Sequence, residues 1–301
     1  MSHLTIPKLI FMNKFIALLT KLVVLVIAIA SCKTRQPAQN TNNQTGGDTD
    51  WKLGIALWTF HTVNFPQSLA MVDSCGVRFI EPNTFHKTGL EYKDSVVGQL
   101  SPSSIEKLKS MVKDHNLSIG SIYVSGGKNI DAWKKEFEIA RQLNVSYVTG
   151  EPPINMWDSI DSLAGVYGLK VAIHEHWKGV SAYWHPDSVL AALKNHPNFG
   201  ACADLGHWPK SGINPVDGVK KLAGHILGVH LKDIAAYNDP KLVDVPVGTG
   251  VVDFPAVFRE LKKQGFNGYI YIERDATEQP SNVQSVIQSV KYFNEQVKKL
   301  K

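Results

Sequence analysis

Eight short runs rich in apolar and β-branched residues recur between residues 53 and 274, and segments of helical periodicity separate them. The runs are LGIALWTF (53–60), VRFIEPN (77–83), LSIGSIYV (117–124), VSYVTGE (145–151), LKVAIHEH (169–176), FGACADL (199–205), ILGVHLK (226–232) and GYIYIER (268–274). Ser101-Pro102, Asn214-Pro215 and Pro255 mark helix starts between them. One helical face carries Ile105, Leu108, Met111 and Val112, and the last helix carries Val283, Val286, Ile287, Val290, Phe293 and Val297. Strands joined by helices run parallel, because a parallel pair needs a long crossover. Eight such units in about 250 residues predict an α/β chain closed into a (β/α)8 TIM barrel. A doubly wound sheet is the competing fold. It needs a Gly-rich phosphate turn after the first strand, where this chain has Trp58-Thr59-Phe60-His61.

Composition sets the remaining limits. Three cysteines in 301 residues exclude a disulfide scaffold, and a single long apolar stretch excludes a multi-span membrane protein. The formal charge is +5, but the first 31 residues hold three lysines and no acid, so a chain beginning at Cys32 has a charge of +2. That is no electrostatic footprint for nucleic acid. Cys75 and Cys202 are expected to be buried free thiols.

The N-terminus reads as an address. Lys14 follows a plausible start at Met12, and Leu22–Ala30 is an uninterrupted apolar run, too short to span a bilayer but suited to a signal-peptide core. Ile29-Ala30-Ser31-Cys32 resembles the lipobox of bacterial lipoproteins, which implies a lipidated Cys32 as the first mature residue. Lys33 follows, so the acidic inner-membrane retention pattern is missing. The expected location is the cell envelope of a Gram-negative bacterium, periplasm-facing or on the outer membrane, with membrane contact only through the lipid. Residues 33–50 contain no large apolar side chain and read as a flexible tether. The organisation is therefore a signal peptide over 1–31, lipidated Cys32 and tether over 32–50, and a barrel over 51–301.

Polar residues gather at the C-terminal ends of the strand runs, the end on which barrels of this type build their sites. They are Glu81, Glu151, His174, His176, Asp204 with His207 just beyond, His230, Lys232 and Glu273. Side chains two apart in a strand share a face, which pairs His174 with His176, His230 with Lys232, and Tyr271 with Glu273. Imidazole and carboxylate donors converging from several strands suit a divalent ion such as Mn, Zn, Co or Mg. Trp58, Trp157, Trp177, Trp184 and Trp208 fall on or just after strand ends, and flat apolar faces beside polar groups suit sugar rings.

The segments ACADLGHW, GVHLKD, VPVGTGVVDFPAVFRELKKQGFNGYI and YIERD resemble the xylose isomerase-like TIM barrels of the sugar phosphate isomerase/epimerase superfamily, and the likeness runs over residues 53–298. The resemblance implies that Asp204, His230 and Glu273 bind a divalent metal. It also implies a fourth ligand on the fifth strand, commonly a Glu, where this chain has His174 in VAIHEHW. That variant is similar to the His-x-His branch, which includes enzymes acting on 3-keto sugars; Glu151, one strand earlier, is the alternative ligand.

The implied chemistry is proton abstraction next to a carbonyl of a small-molecule sugar, giving isomerisation, hydration or elimination. Glu273, Glu151 or His176 would move the proton and Lys232 would steady the developing oxyanion. Trp58, Glu81, His207 and Trp177 are the expected substrate contacts. Export argues against a phosphosugar, so an unphosphorylated keto sugar or 3-keto glycoside is expected. The competing functions are a non-catalytic sugar-binding envelope lipoprotein on the same barrel and a nuclease. A nuclease needs more His and carboxylate ligands and a basic surface, and envelope export with a charge of +2 argues against it. Mass spectrometry of the native N-terminal peptide is expected to show a lipid-modified Cys32 as the first residue; residues before it, or a bare thiol, would overturn the lipoprotein reading.

Overall fold

The computed structural model describes residues 49–93 and 95–300. The expected signal segment, Cys32 and the tether up to residue 48 lie outside the described residues. In chain order the strands are β1 (Lys52–Ala56), β2 (Phe79–Glu81), β3 (Ser118–Ile119), β4 (Ile122–Tyr123), β5 (Tyr147–Gly150), β6 (Lys170–His174), β7 (Phe199–Asp204), β8 (Ile226–Leu231), β9 (Asp233–Ile234), β10 (Asp244–Val245) and β11 (Tyr269–Ile272). All but β9 and β10 form one parallel sheet in the order β3-β2-β1-β11-β8-β7-β6-β5-β4.

β3 and β4 are two halves of one strand, and they close the ring. The first half pairs with β2 through Phe79↔Ser118 and Ile80↔Ile119. The second pairs with β5 through Ile122↔Val148 and Tyr123↔Thr149. Gly120 N–H donates to Ile80 O at 3.1 Å, and Tyr123 N–H donates to Pro82 O at 2.8 Å. All eight expected strand runs are present, shorter than the apolar patterns suggested. The first ends at Ala56, after which Leu57–Phe60 forms a 3-10 turn whose Leu57 and Phe60 stay in the core. Apolar residues fit either conformation, so the pattern could not place that boundary.

The helices are α1 (Phe65–Asp73), α2 (Pro102–Asp114), α3 (Ile130–Leu143), α4 (Trp157–Tyr167), α5 (Pro186–Leu193), α6 (His207–Lys210), α7 (Pro215–Lys221), α8 (Phe254–Lys263) and α9 (Val283–Lys298). Their starts are capped as the sequence signals imply. Ser101 Oγ accepts from Ser104 N–H at 3.3 Å, Asn214 Oδ1 from Val216 N–H at 2.9 Å, and Asp253 Oδ1 from Ala256 N–H at 2.9 Å. Helix faces then bury against the sheet: Phe254, Val257, Phe258 and Leu261 of α8 beside Val286, Val290, Phe293 and Val297 of α9. The Phe258 and Phe293 rings lie 5.6 Å and 6.4 Å, respectively, from the Trp51 ring. Cys75 and Cys202 are both buried and free.

The Gly-Thr-Gly stretch has a structural explanation. The buried Asp233 carboxylate accepts backbone N–H groups from Gly248 at 2.9 Å, Gly250 at 2.8 Å and Val252 at 3.2 Å. A Cβ on Gly250 would sit 2.3 Å from Ile234 O and 2.4 Å from Asp233 Oδ1, so only glycine lets this loop close on the carboxylate.

Inside the barrel, Tyr147, Ala172 and Cys202 pack together with Tyr269 below the polar mouth. Tyr269 and Tyr271 stack with ring planes 6° apart, and they fill the space that Gly120 leaves open. A Cβ at residue 120 would meet Tyr271 Oη at 2.3 Å and Tyr269 Cε1 at 2.5 Å. Gly120→Ala is therefore expected to destabilise the fold by about 1–3 kcal/mol through overpacking. Urea unfolding monitored by circular dichroism checks this, and an unchanged midpoint would remove the packing argument.

Candidate functional site

Strand alternation brings the inward side chains of β2, β5, β6, β7, β8 and β11 to one end of the barrel. Asp204 and His230 are ladder partners, as are Tyr271 and His230. His174 is the last residue of β6 and Asp204 the last of β7. Glu273 follows β11 directly, and its N–H donates to Leu231 O at 3.1 Å.

These four residues converge. One ligand atom from each of His174, Asp204, His230 and Glu273 lies within 4.8 Å of the other three, and all four side chains are buried. His174 Nε2 is 3.2 Å from His230 Nδ1 and 3.4 Å from Asp204 Oδ2. His230 Nδ1 is 2.9 Å from Glu273 Oε2. Asp204 Oδ2 is fully buried and accepts no hydrogen bond, while Oδ1 accepts the N–H groups of Gly206 and His207, both at 3.0 Å. Two carboxylates and two imidazoles facing one another, with a buried carboxylate oxygen left over, fit a divalent cation.

Ionisation of Asp204, Glu273 and His174 favours the same use. Burial works against charge on Asp204, but His207, Lys232 and His174 hold its carboxyl well below the usual range. Burial likewise opposes Glu273, and Lys232 and His230 overcome it, so Glu273 is a carboxylate. Burial lowers His174 and leaves its ring neutral, with a lone pair to offer. Burial resists charge on His230, yet Cys202 and the carboxylates of Glu273 and Glu81 hold it well above the ordinary imidazole range, so a cation bound here would have to displace its Nδ1 proton. Lys232 remains an ammonium despite burial, because Asp204, Asp275 and Glu273 surround it. Its Nζ is 3.4 Å from Asp204 Oδ2, 3.1 Å from Glu273 Oε2 and 3.0 Å from Asp275 Oδ2.

Glu81 does not face the mouth. It is 1% exposed; its Oε2 accepts from His230 Nε2 at 2.7 Å, and its Oε1 accepts from Ser121 at 2.7 Å and Thr149 at 2.5 Å. The expected substrate contact at Glu81 is therefore corrected: the side chain lies beneath His230 and orients it. His207 is corrected similarly. At 1% exposure it lies under Lys232, with Nε2 3.0 Å from Nζ, and it does not line the pocket.

Glu151 and His176 form a second grouping that shares His174. His176 Nδ1 is 2.5 Å from Glu151 Oε1, and Ser181 Oγ donates to Glu151 Oε2. His174, not Glu151, completes the set of four. His176 stacks on His207 with centroids 4.8 Å apart and lines the pocket, so its Nε2 is the nitrogen left available.

The pocket is a cavity of about 510 Å³ whose polar end holds His174, Lys232 and Glu273. Trp58 and Trp177 line it, and Trp58 Nε1 donates to Asp275 Oδ1 at 3.1 Å. Of the other tryptophans near strand ends, Trp208 is fully buried, Trp157 Nε1 donates to Tyr183 Oη at 2.6 Å, and half-buried Trp184 carries the Lys178 ammonium 5.1 Å from its ring centroid. Ten of the pocket residues escaped the sequence reading, among them Tyr123, Lys210, Lys241 and Asp275. Asp275 was within reach, since it continues the Tyr271–Glu273 alternation by one more step.

The model of the family described as "Xylose isomerase-like TIM barrel" matches residues 69–296. The chain belongs to the xylose isomerase-like TIM barrel family. An inosose dehydratase of Clostridium botulinum is 25% identical over 248 residues, covering 64% of this chain and 83% of that relative. A solved structure from Parabacteroides distasonis is 32% identical, covers 82% of this chain and 99% of its own, and superposes with a TM-score of 0.65. A xylose isomerase-like TIM barrel protein from Mycobacterium smegmatis in complex with magnesium is 16% identical, covers 83% of this chain and 97% of its own, and has a TM-score of 0.67. The family match and the dehydratase relative place the chain among sugar isomerase/epimerase or dehydratase barrels.

If Glu81 orients a metal-ligating His230, Glu81→Gln is expected to weaken divalent-ion affinity about 10–100-fold, the usual cost of losing such a partner. Chelator-competition titration measures it, with circular dichroism to check that the fold persists. An unchanged affinity would detach Glu81 from the site.

Proposed function

We propose that this chain is a divalent-metal-dependent enzyme that removes a proton next to the carbonyl of an unphosphorylated keto sugar or 3-keto glycoside, with isomerisation or loss or addition of water as the outcome. The observation that carries this reading is the set of four buried ligand residues opening onto a pocket that also holds a separately oriented imidazole. His174, Asp204, His230 and Glu273 would hold the ion, which supplies Lewis-acid polarisation of the substrate carbonyl. The magnesium in the Mycobacterium smegmatis relative and the dehydratase relative favour the same class of chemistry.

The proton transfer belongs to His176. Glu151 accepts the Nδ1 proton, so the lone pair is on Nε2, and the carboxylate steadies the imidazolium formed when Nε2 takes the proton from carbon. Ser181 fixes Glu151 from its other oxygen. Lys232, charged and locked by its carboxylates, donates to the substrate oxygen that gains charge. Trp58 and Trp177 offer flat apolar faces to the sugar ring. One base on one face of the substrate favours isomerisation or elimination over epimerisation. Export and lipid anchoring, read from residues 1–32, would put this reaction in the cell envelope.

The test is incubation of the metal-loaded protein with keto sugars and 3-keto glycosides in deuterated water. Deuterium is expected at one face of the carbon next to the carbonyl, with loss on chelation and recovery when the metal is restored. His176→Ala should slow exchange by about 10²-fold or more while keeping its metal, and His174→Ala should lose metal. Delivery of deuterium to both faces would sink the one-base mechanism. Binding of these sugars without any exchange would favour the sugar-binding lipoprotein instead.

A further inference from the structure

Lys210 closes the short helix α6 and is only 6% exposed, yet it lines the pocket. Its Nζ lies 4.2 Å from the centroid of the Trp177 ring. Among the described residues no carboxylate oxygen comes within 4.0 Å of that ammonium, and no atom accepts a hydrogen bond from it. Asp275 shares the pocket wall, but both its oxygens accept from Lys232 at 3.0 Å, and Oδ1 also accepts from Trp58. Lys232 is surrounded by three carboxylates, whereas Lys210 touches an aromatic face and feels Asp275 only from beyond contact distance.

An ammonium carries three donors, and a ring face replaces only part of the hydration lost on burial. Burial accordingly pushes Lys210 below the ordinary lysine range, with Asp275 acting in the other direction. A side chain held this way has its stem packed and its donors unspent, and the pocket is the space from which an acceptor can reach them. Lys241, exposed on the loop between β9 and β10, adds a second cation to the same wall. His174 and Glu273 line the pocket as well, so a ligand there can meet the ligand cluster and this wall together.

We propose that Lys210, backed by Trp177 and assisted by Lys241, is an anion subsite, so that the sugar taken by this pocket carries a carboxylate or another oxyanion away from its reacting carbon. This rests on the reading of the pocket as a sugar site and narrows it from neutral glycosides to acidic sugars, uronate-like in the simplest case. A neutral hydroxyl would satisfy a donor but leave the desolvated charge without a counter-charge. A charge-assisted hydrogen bond supplies both and is roughly twice as strong.

The experiment is calorimetric titration of the full chain, saturated with Mn²⁺, with D-glucuronate, its methyl ester and D-glucose 6-phosphate. The acid is expected to bind about tenfold or more tightly than the ester, the scale of one hydrogen bond to a charged group. Lys210→Met, which keeps a stem over Trp177, should erase that preference with unchanged metal content, and Lys210→Arg should restore most of it. Tighter binding of the phosphate than of the uronate would support the subsite and assign its oxyanion as phosphate. Equal binding of acid and ester, a preference that survives Lys210→Met, or no binding of either anion would overturn the proposal. If Lys210→Met fails to fold, the comparison of acid and ester on the unmutated chain decides alone. Repeating the titration on metal-stripped protein separates the two readings. An acid preference in a chain that never takes up metal would sink the metal-dependent mechanism and leave the subsite standing.

Discussion

Burying charge is what this barrel has to solve. Asp204 and Glu273 sit inside a closed ring of strands, and Asp275 stands at the pocket wall beside them. Each isolated buried charge would cost several kcal/mol. The solution is an interlocked set: Lys232 among three carboxylates, His230 between Glu81 and Glu273, and the N–H groups of Gly206 and His207 on Asp204. Asp204 Oδ2 accepts no hydrogen bond, and it faces the Lys232 ammonium and His174 Nε2, each at 3.4 Å. The place left without a proton is the place where a cation fits.

The division of labour follows from how rigid each part is. The ligand cluster is carried by strand ends locked in a parallel ladder, with ladder partners fixing Asp204 against His230. The pocket walls come from short helices and loops, which supply Trp58, Trp177, Lys210, Lys241 and Asp275. On the proposed function, strand-borne groups would set where a carbonyl is polarised, and loop-borne groups would set which sugar reaches it. A barrel family can thus keep one reaction class and change its substrate through loops.

Much of this was legible along the chain, because a strand's period of two survives in any sequence. His174 with His176 and His230 with Lys232 share inward faces as the spacing implied. Other assignments failed for a physical reason. Glu81 looked like a mouth residue because it ends a strand run, but Ser121 and Thr149, from two other strands, occupy its carboxylate inside the barrel. Trp208 looked like a sugar platform, yet it is wholly buried against the helix layer, where Gly218 leaves room for its ring. Lys210 gave no signal, since a lysine three residues beyond a histidine reads as a solvated helix end.

The sequence by itself determined the eight-fold alternation, the polar mouth, the ligand types and the strand faces that carry them. Those depend on local periodicity and residue chemistry, which need no partner to be read. The tertiary structure alone decided which of those groups meet. It placed His174 rather than Glu151 with Asp204, His230 and Glu273, turned Glu81 beneath His230, and set Lys210 against Trp177 at the pocket wall, out of contact with any carboxylate among the described residues. Distance between strands, depth within the barrel and competition for hydrogen bonds are properties of the closed ring, and no spacing along the chain contains them.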